Sequence, residues 1–176
     1  MRQVIILTAL VIAVLGINNK IHVPSRPILS EPTPVEQFMD KIAEIETPGG
    51  GYQTVNKYGM MGRYQFSPST VKVLGYNISK SQFLRNPEIQ DSVMVTYMRE
   101  NEKLLQHLIH RYEGRTVKGV RITRASILAG AHFAGAGGVK QFLTNDNHIG
   151  VVDGFGTSLR KYMSYFSNFH LPPMRG

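Results

Sequence analysis

The segment Thr33-Pro34-Val35-Glu36-Gln37-Phe38-Met39-Asp40-Lys41-Ile42-Ala43-Glu44-Ile45-Glu46-Thr47-Pro48-Gly49-Gly50-Gly51-Tyr52 decides the reading of this chain. Thr33 can cap a helix, Pro34 fits the first helical position, and Glu36 completes a capping box. Val35, Phe38, Met39, Ile42 and Ile45 recur at helical spacing and mark the buried stripe. Pro48 and the glycines stop the helix. Glu46 therefore closes an amphipathic helix at the border of core and solvent, where its charge meets the negative end of the macrodipole. Three glycines keep side-chain bulk away from it. This placement suits an acid working beside an open groove; the plain alternative is a surface Glu at a frayed helix end.

Downstream, residues 49–66 are rich in Gly and Tyr and read as a loop with at most a short hairpin. Ser67-Pro68-Ser69-Thr70 starts a second helix carrying Val71 and Leu74, and Asn86-Pro87-Glu88 starts a long third one running to Tyr112. A polar stretch, Glu113 to Arg121, leads to a helix from about Thr123 to Ala134, then a short helix over Val139 to Leu143. A last helix, from about Thr157 to Asn168, carries Leu159, Tyr162, Met163 and Phe166. The expected fold is mainly α, a single helical domain over residues 33–170 with one glycine-rich loop or short hairpin after the helix that ends in Glu46.

Upstream, Met1-Arg2 is a basic start and Val4 to Ile17 is almost wholly apolar. Residues 1–17 read as a signal peptide or membrane anchor. The core of about 14 residues is short for a spanning helix, which needs roughly 20. Residues 18–32, with Pro24, Pro27 and Pro32, read as a linker. The domain is expected outside the cytoplasm, in the periplasm or cell envelope. The chain's 176 residues suit one domain with a real core. Its formal net charge of +8 favours an anionic partner: nucleic acid, a lipid surface or a cell-wall polymer. No recognisable nucleic-acid module supports the first. The absence of cysteine excludes disulfides and Cys-based catalysis or metal sites. His107 and His110 have metal-compatible spacing but no third ligand nearby in sequence, and no metal or cofactor is expected.

Three blocks carry chemistry in order: Ile45-Glu46-Thr47, then Gly59-Met60-Met61-Gly62-Arg63-Tyr64-Gln65, then Ala131-His132-Phe133-Ala134-Gly135-Ala136-Gly137-Gly138-Val139. Together they resemble the soluble lytic transglycosylases and goose-type lysozymes, the lysozyme-like cleavers of peptidoglycan. Arg160-Lys161-Tyr162-Met163 resembles the R-x-Y-V element of that family. The resemblance covers roughly residues 35 to 166. This chain has Thr47 where the family has Ser, Arg63-Tyr64 before the Gln where it has two hydrophobic residues, and His132-Phe133 where it has Tyr-Asn. The Arg-Tyr-Gln-Phe form looks more like lysozyme-like domains of phage and mobile elements.

The resemblance implies a lysozyme-like fold, Glu46 as the single catalytic acid, and cleavage of the β-1,4 bond between MurNAc and GlcNAc. Glycosidic cleavage needs an acid to protonate the leaving oxygen while an oxocarbenium-like centre develops. Most glycosidases add a second carboxylate; here Asp40, Glu44 and Asp153 are the candidates. The resemblance implies that one Glu suffices, giving an anhydro product through the sugar's own C6 hydroxyl, or a hydrolysed one through water. Thr47, Tyr58, Tyr64, Gln65, Phe66, His132, Phe133 and Tyr162 are the expected substrate-binding residues, with His132 in hydrogen-bond reach of Glu46 directly or through one water. For Phe66 and Phe133 the competing reading is core packing. Peptidoglycan is the expected partner, and service in a secretion, conjugation or phage assembly fits the address. The alternatives are a hydrolytic muramidase and a wall-binding or scaffold domain without turnover.

Overall fold

Capping side chains set most of the element boundaries. The computed structural model describes residues 31–49, 51–145 and 157–174. The apolar run 1–17, all but the last two residues of the linker, and Asp153 lie outside them. The described residues are mainly helical, and those from Pro32 onward belong to one compact unit.

Helix α1 spans Pro34–Glu46. Thr33 Oγ1 accepts from the Glu36 amide at 3.2 Å while Glu36 Oε2 accepts from the Thr33 amide at 2.7 Å, so the capping box is closed. Phe38, Met39, Ile42 and Ala43 form its buried face. The loop that follows holds its shape through two isolated antiparallel bridges, Val55 to Met61 and Met61 to Phe66, rather than through regular strands. Asn56 Oδ1 accepts from the amides of Tyr58 and Met60, which folds the tip as an Asx turn.

Ser67 caps α2 (Pro68–Val73) through the Thr70 amide at 3.0 Å. Helix α3 (Lys80–Arg85) is an element the sequence reading passed over; its Ser79–Gln82 capping box is complete. Helix α4 (Pro87–Tyr112) starts where Asn86-Pro87-Glu88 predicts. Its Gln90 is fully buried and serves as a staple. Nε2 donates to the carbonyls of Tyr52 and Phe83 at 2.8 and 2.9 Å, and Oε1 accepts from the Arg63 amide at 2.9 Å. The glycine-rich loop is thereby fixed to the long helix.

The polar stretch after α4 is not plain coil. Strands β1 (Thr116–Val117) and β2 (Val120–Arg121) pair antiparallel, with Val117 opposite Val120. The turn residues Lys118 and Gly119 have φ of 50° and 78°, the pattern of a primed hairpin turn. Helix α5 (Arg124–Thr144) absorbs both the Thr123–Ala134 helix and the separate short helix expected over Val139–Leu143. They are joined across a break at Gly135, whose φ of 71° and ψ of 166° are non-helical. Helix α6 (Leu159–Tyr165) is capped by Ser158 and is shorter than expected.

Helix α5 packs against both α4 and α6 and is buried almost all round its first half. It divides the core. Phe38, Ile42, Tyr64, Phe66, Met98, Tyr162 and Phe166 gather with Ala125, Leu128 and Ala129. Leu105, Ile109, Ile122, Phe142 and Met163 gather with Ile127 and Ala131. The residues after α6 return to the start of the domain: Phe169 lies 6.5 Å from the Phe38 ring and 5.5 Å from that of Phe166. Leu171 is buried, and Glu102 Oε2 accepts from the Met174 amide at 2.7 Å.

Candidate active site

A groove of about 390 Å³ opens beside the end of α1. Glu46 contributes from α1; Asn56, Tyr58, Met60, Gln65 and Phe66 from the loop; Ser67 and Thr70 from the start of α2. Tyr97 of α4 and His132 and Phe133 of α5 complete the wall. Among the described residues Glu46 is the sole carboxylate lining it. Asp40 is paired with Arg63 at 2.7 Å and Glu44 with Lys41 at 2.8 Å, both away from the groove. Other cavities carry carboxylates already engaged within the fold. Glu113 accepts from the Arg124 amide, and Glu102 lies 2.8 Å from Arg124 Nε, which leaves Arg124 little freedom to contact a polymer.

Helix α1 carries Glu46 to the groove because Thr47 ends the helix inside the protein. Thr47 is buried; its amide donates to Ala43 O, and its hydroxyl hydrogen is shared between Ala43 O and Arg63 O at 3.1 and 3.0 Å. It is thus a tie between α1 and the loop and does not line the groove. Glu46 keeps about a quarter of its side chain exposed, at 23%. The Tyr162 hydroxyl donates to Glu46 Oε1 at 2.8 Å. Tyr162 itself is 1% exposed, held between the rings of Phe133 at 4.8 Å and Phe166 at 5.6 Å. The sequence placed Tyr162 among ligand contacts; the structure places it behind the carboxyl. Tyr64 is likewise interior, its hydroxyl donating to Asp91 at 2.7 Å, because its neighbour Gln65 takes the groove side of the turn.

Gln65 sits in the left-handed region at φ 52°, a conformation that costs a non-glycine residue about 1–2 kcal/mol. Its Nε2 donates to Gly62 O at 2.8 Å, while its buried Oε1 has no hydrogen-bond partner. Phe66 is 3% exposed yet lines the groove, so it is both core and wall. Phe133 is partly buried, and Tyr58 stands at the rim, 53% exposed.

His132 Nε2 lies 3.9 Å from Glu46 Oε1, too far for a direct hydrogen bond and close enough for an ionic contact if protonated. Its ring meets Phe66 and Tyr97 edge-on at 5.3 and 5.7 Å, and its buried Nδ1 has no hydrogen-bond partner. Burial pushes its pKa down, against the opposing pull of the Glu46 charge and the Tyr64 carbonyl. Burial also raises Tyr97 to about 12, so its hydroxyl stays protonated and donates to Ala131 O at 2.7 Å.

The chain matches no protein-family model, no curated protein and no solved structure. The groove itself offers one carboxylate fixed by a tyrosine, a neutral imidazole, an amide with a buried acceptor, and aromatic walls. Asn56, Met60, Ser67, Thr70 and Tyr97 joined this wall without being singled out in the sequence. Tyr97 follows Ile89 and Val93 at four-residue spacing, a pattern that marks the buried stripe of α4 rather than a site.

Proposed function

We propose that the protein cleaves peptidoglycan glycan strands with Glu46 as its single catalytic acid, in a lysozyme-like domain. One observation carries this reading: the sole carboxylate among the described groove-lining residues is the helix-ending Glu46, fixed by the Tyr162 hydroxyl at 2.8 Å. The order of parts supports it too, from an acid at a helix end, through a glycine-rich loop presenting Gln65, to a glycine-broken helix and a terminal helix supplying the tyrosine.

In the proposed reaction Glu46 gives its proton to the glycosidic oxygen as the C1–O bond breaks. The carboxylate then takes the proton of the C6 hydroxyl as O6 bonds to C1, leaving a 1,6-anhydro end. The substrate's N-acetyl group assists. The anhydro outcome is favoured over the hydrolytic one because no second carboxylate lines the groove among the described residues to activate water. Tyr58, Phe66 and Phe133 supply the flat apolar surfaces that sugar rings stack on. An exported domain that works on the wall, with or without a membrane anchor, completes the reading.

Zymography on purified cell wall tests it. Glu46→Gln is nearly isosteric and replaces the carboxyl by an amide that cannot serve as the acid; it should cost at least about 10²-fold while the fold stays intact. Activity within about tenfold of wild type would remove Glu46 from the acid's role. Mass spectrometry of the products separates the two outcomes, because anhydro ends are lighter by one water.

A further inference from the structure

Helix α6 has two sides. Its buried side carries Leu159, Tyr162 and Met163 and delivers the Tyr162 hydroxyl to Glu46. Its exposed side carries Arg160, Lys161, Ser164 and Tyr165, none of which lines the groove. The β1–β2 hairpin runs beside this helix. α6 packs against β2, and a Cβ placed on Gly119 at the hairpin turn would lie 3.3 Å from Arg160 Nη2. Arg121 of β2 lines a cavity of about 400 Å³ together with Ser167, Asn168 and His170, which follow the helix. Arg160 therefore meets the hairpin at its turn, and Arg121 meets the far end of α6.

Charge on this side has one sign. Between Gly114 and Met174 the described residues include no Asp or Glu. Glu113 lines the cavity with Arg121, but its Oε1 accepts from the Arg124 amide at 3.1 Å. Arg121, Arg160 and Lys161 are exposed and make no ion pair with a described residue, whereas Arg63 and Arg124 are each paired with a carboxylate. Neighbouring cations without counter-charges repel one another, and an anionic surface relieves that repulsion. Tyr165 stands among them, 44% exposed and one turn on from Lys161. A tyrosine beside cations settles at the level of lipid headgroups, with its ring toward the acyl chains and its hydroxyl in water. Arg160 and Lys161 also project from the outer side of a helix, which suits a flat surface better than a strand held in a groove.

We propose that the exposed side of α6 and the adjoining β1–β2 hairpin form a docking surface for an anionic phospholipid bilayer. Arg121, Arg160 and Lys161 meet the headgroup phosphates, and Tyr165 enters the headgroup layer. The groove at Glu46 is walled by α1, the glycine-rich loop, α2, α4 and α5, so docking through α6 leaves it open to substrate. The proposal does not depend on the glycan-cleaving reading.

The test uses the full chain, which has no cysteine of its own, with Ser164→Cys carrying an environment-sensitive fluorophore. It is titrated with vesicles of phosphatidylcholine alone and of phosphatidylcholine mixed with phosphatidylglycerol. The apolar run 1–17 can enter both alike, so the neutral vesicles set the baseline. Emission should shift to the blue with the anionic vesicles only, and the shift should fade as salt rises. The Arg121→Gln, Arg160→Gln, Lys161→Gln triple variant should need about 10²-fold more anionic lipid for half-saturation, at roughly fivefold per cation near such a surface. An equal shift in both vesicles, no shift in either, or a shift that survives the triple replacement would overturn the docking surface. So would binding to lipid-free wall polymer or to DNA that the triple variant loses while lipid gives no shift, which assigns the cations to a polyanion instead. Zymography of the same chains reports on Glu46 separately, whichever way the lipid titration falls.

Discussion

Two side chains approach the same oxygen of Glu46, and they differ in what they do to it. Tyr162 donates a short hydrogen bond from a fully packed position, so its job is to hold the carboxyl still. Tyr162→Phe keeps the ring between Phe133 and Phe166 and deletes only the hydroxyl. Cleavage should fall roughly tenfold, the worth of one hydrogen bond that positions the reacting group, with little change in melting temperature. Unchanged turnover would show that Glu46 needs no such anchor. His132 is linked instead to pH. Its folded pKa lies below the ordinary 6.5, so between the two values the unfolded chain binds a proton that the folded one refuses. That contribution to stability is complete above about pH 6.5 and is lost as pH falls toward the folded value. Chemical denaturation from pH 7 to 5 should show a steeper loss for wild type than for His132→Gln; parallel curves would place the effect elsewhere. At this scale Glu46, Gln65, Phe66 and His132 were legible as groove residues because motif order carries them. Thr47, Tyr64 and Tyr162 were not: a turn does not reveal from sequence that Tyr64 rather than Gln65 faces inward, and nothing in the sequence pairs the Thr47 hydroxyl with Arg63 O or the Tyr162 hydroxyl with Glu46.

Among the elements, the glycine-rich loop depends on one close approach. Gly59 and Gly62 both have positive φ, 80° and 76°. A Cβ on Gly59 meets nothing within 4 Å, whereas one on Gly62 runs into the Gln90 side-chain amide and lies 3.0 Å from the Phe83 ring. Gly59→Ala should cost about 1 kcal/mol from backbone strain alone, and Gly62→Ala about 3 kcal/mol or more as the Gln90 staple is displaced. Thermal melts of the two variants side by side check this; equal losses would mean the staple yields freely. The helices with strong caps were readable, α1 most of all. The hairpin at 116–121 escaped because Lys118 takes a left-handed conformation that its residue type does not advertise. Helix α3 escaped because six residues are too few for a periodic signal, although Ser79 and Gln82 were there to be read as a capping box. The α5 break was legible as an interruption between Ala134 and Val139; the sequence did not show that, of Gly135, Gly137 and Gly138, only Gly135 leaves helical geometry.

At the scale of the whole molecule, the first helix is packed by the last residues. Phe38 of α1 rests on Phe166 at 5.1 Å and on Phe169, Glu46 takes its hydrogen bond from Tyr162, and α4 takes the Met174 amide. A chain cut after Ser158 keeps α1 to α5 but loses every one of these contacts. It should lack a cooperative melting transition and near-ultraviolet signal while retaining helical circular dichroism. A sharp transition in the cut chain would mean that α1 is held without its partners. The same closure governs biosynthesis. A ribosome delivers α1 first and α6 last, at about 5–20 residues per second, so the amino-terminal helix waits several seconds for the strand of contacts that covers it. Throughout that interval Glu46 has no Tyr162 beside it. A protein closed in this way stays unfinished while it is being translated, and the groove side of Glu46 takes its final form only after α6 has docked.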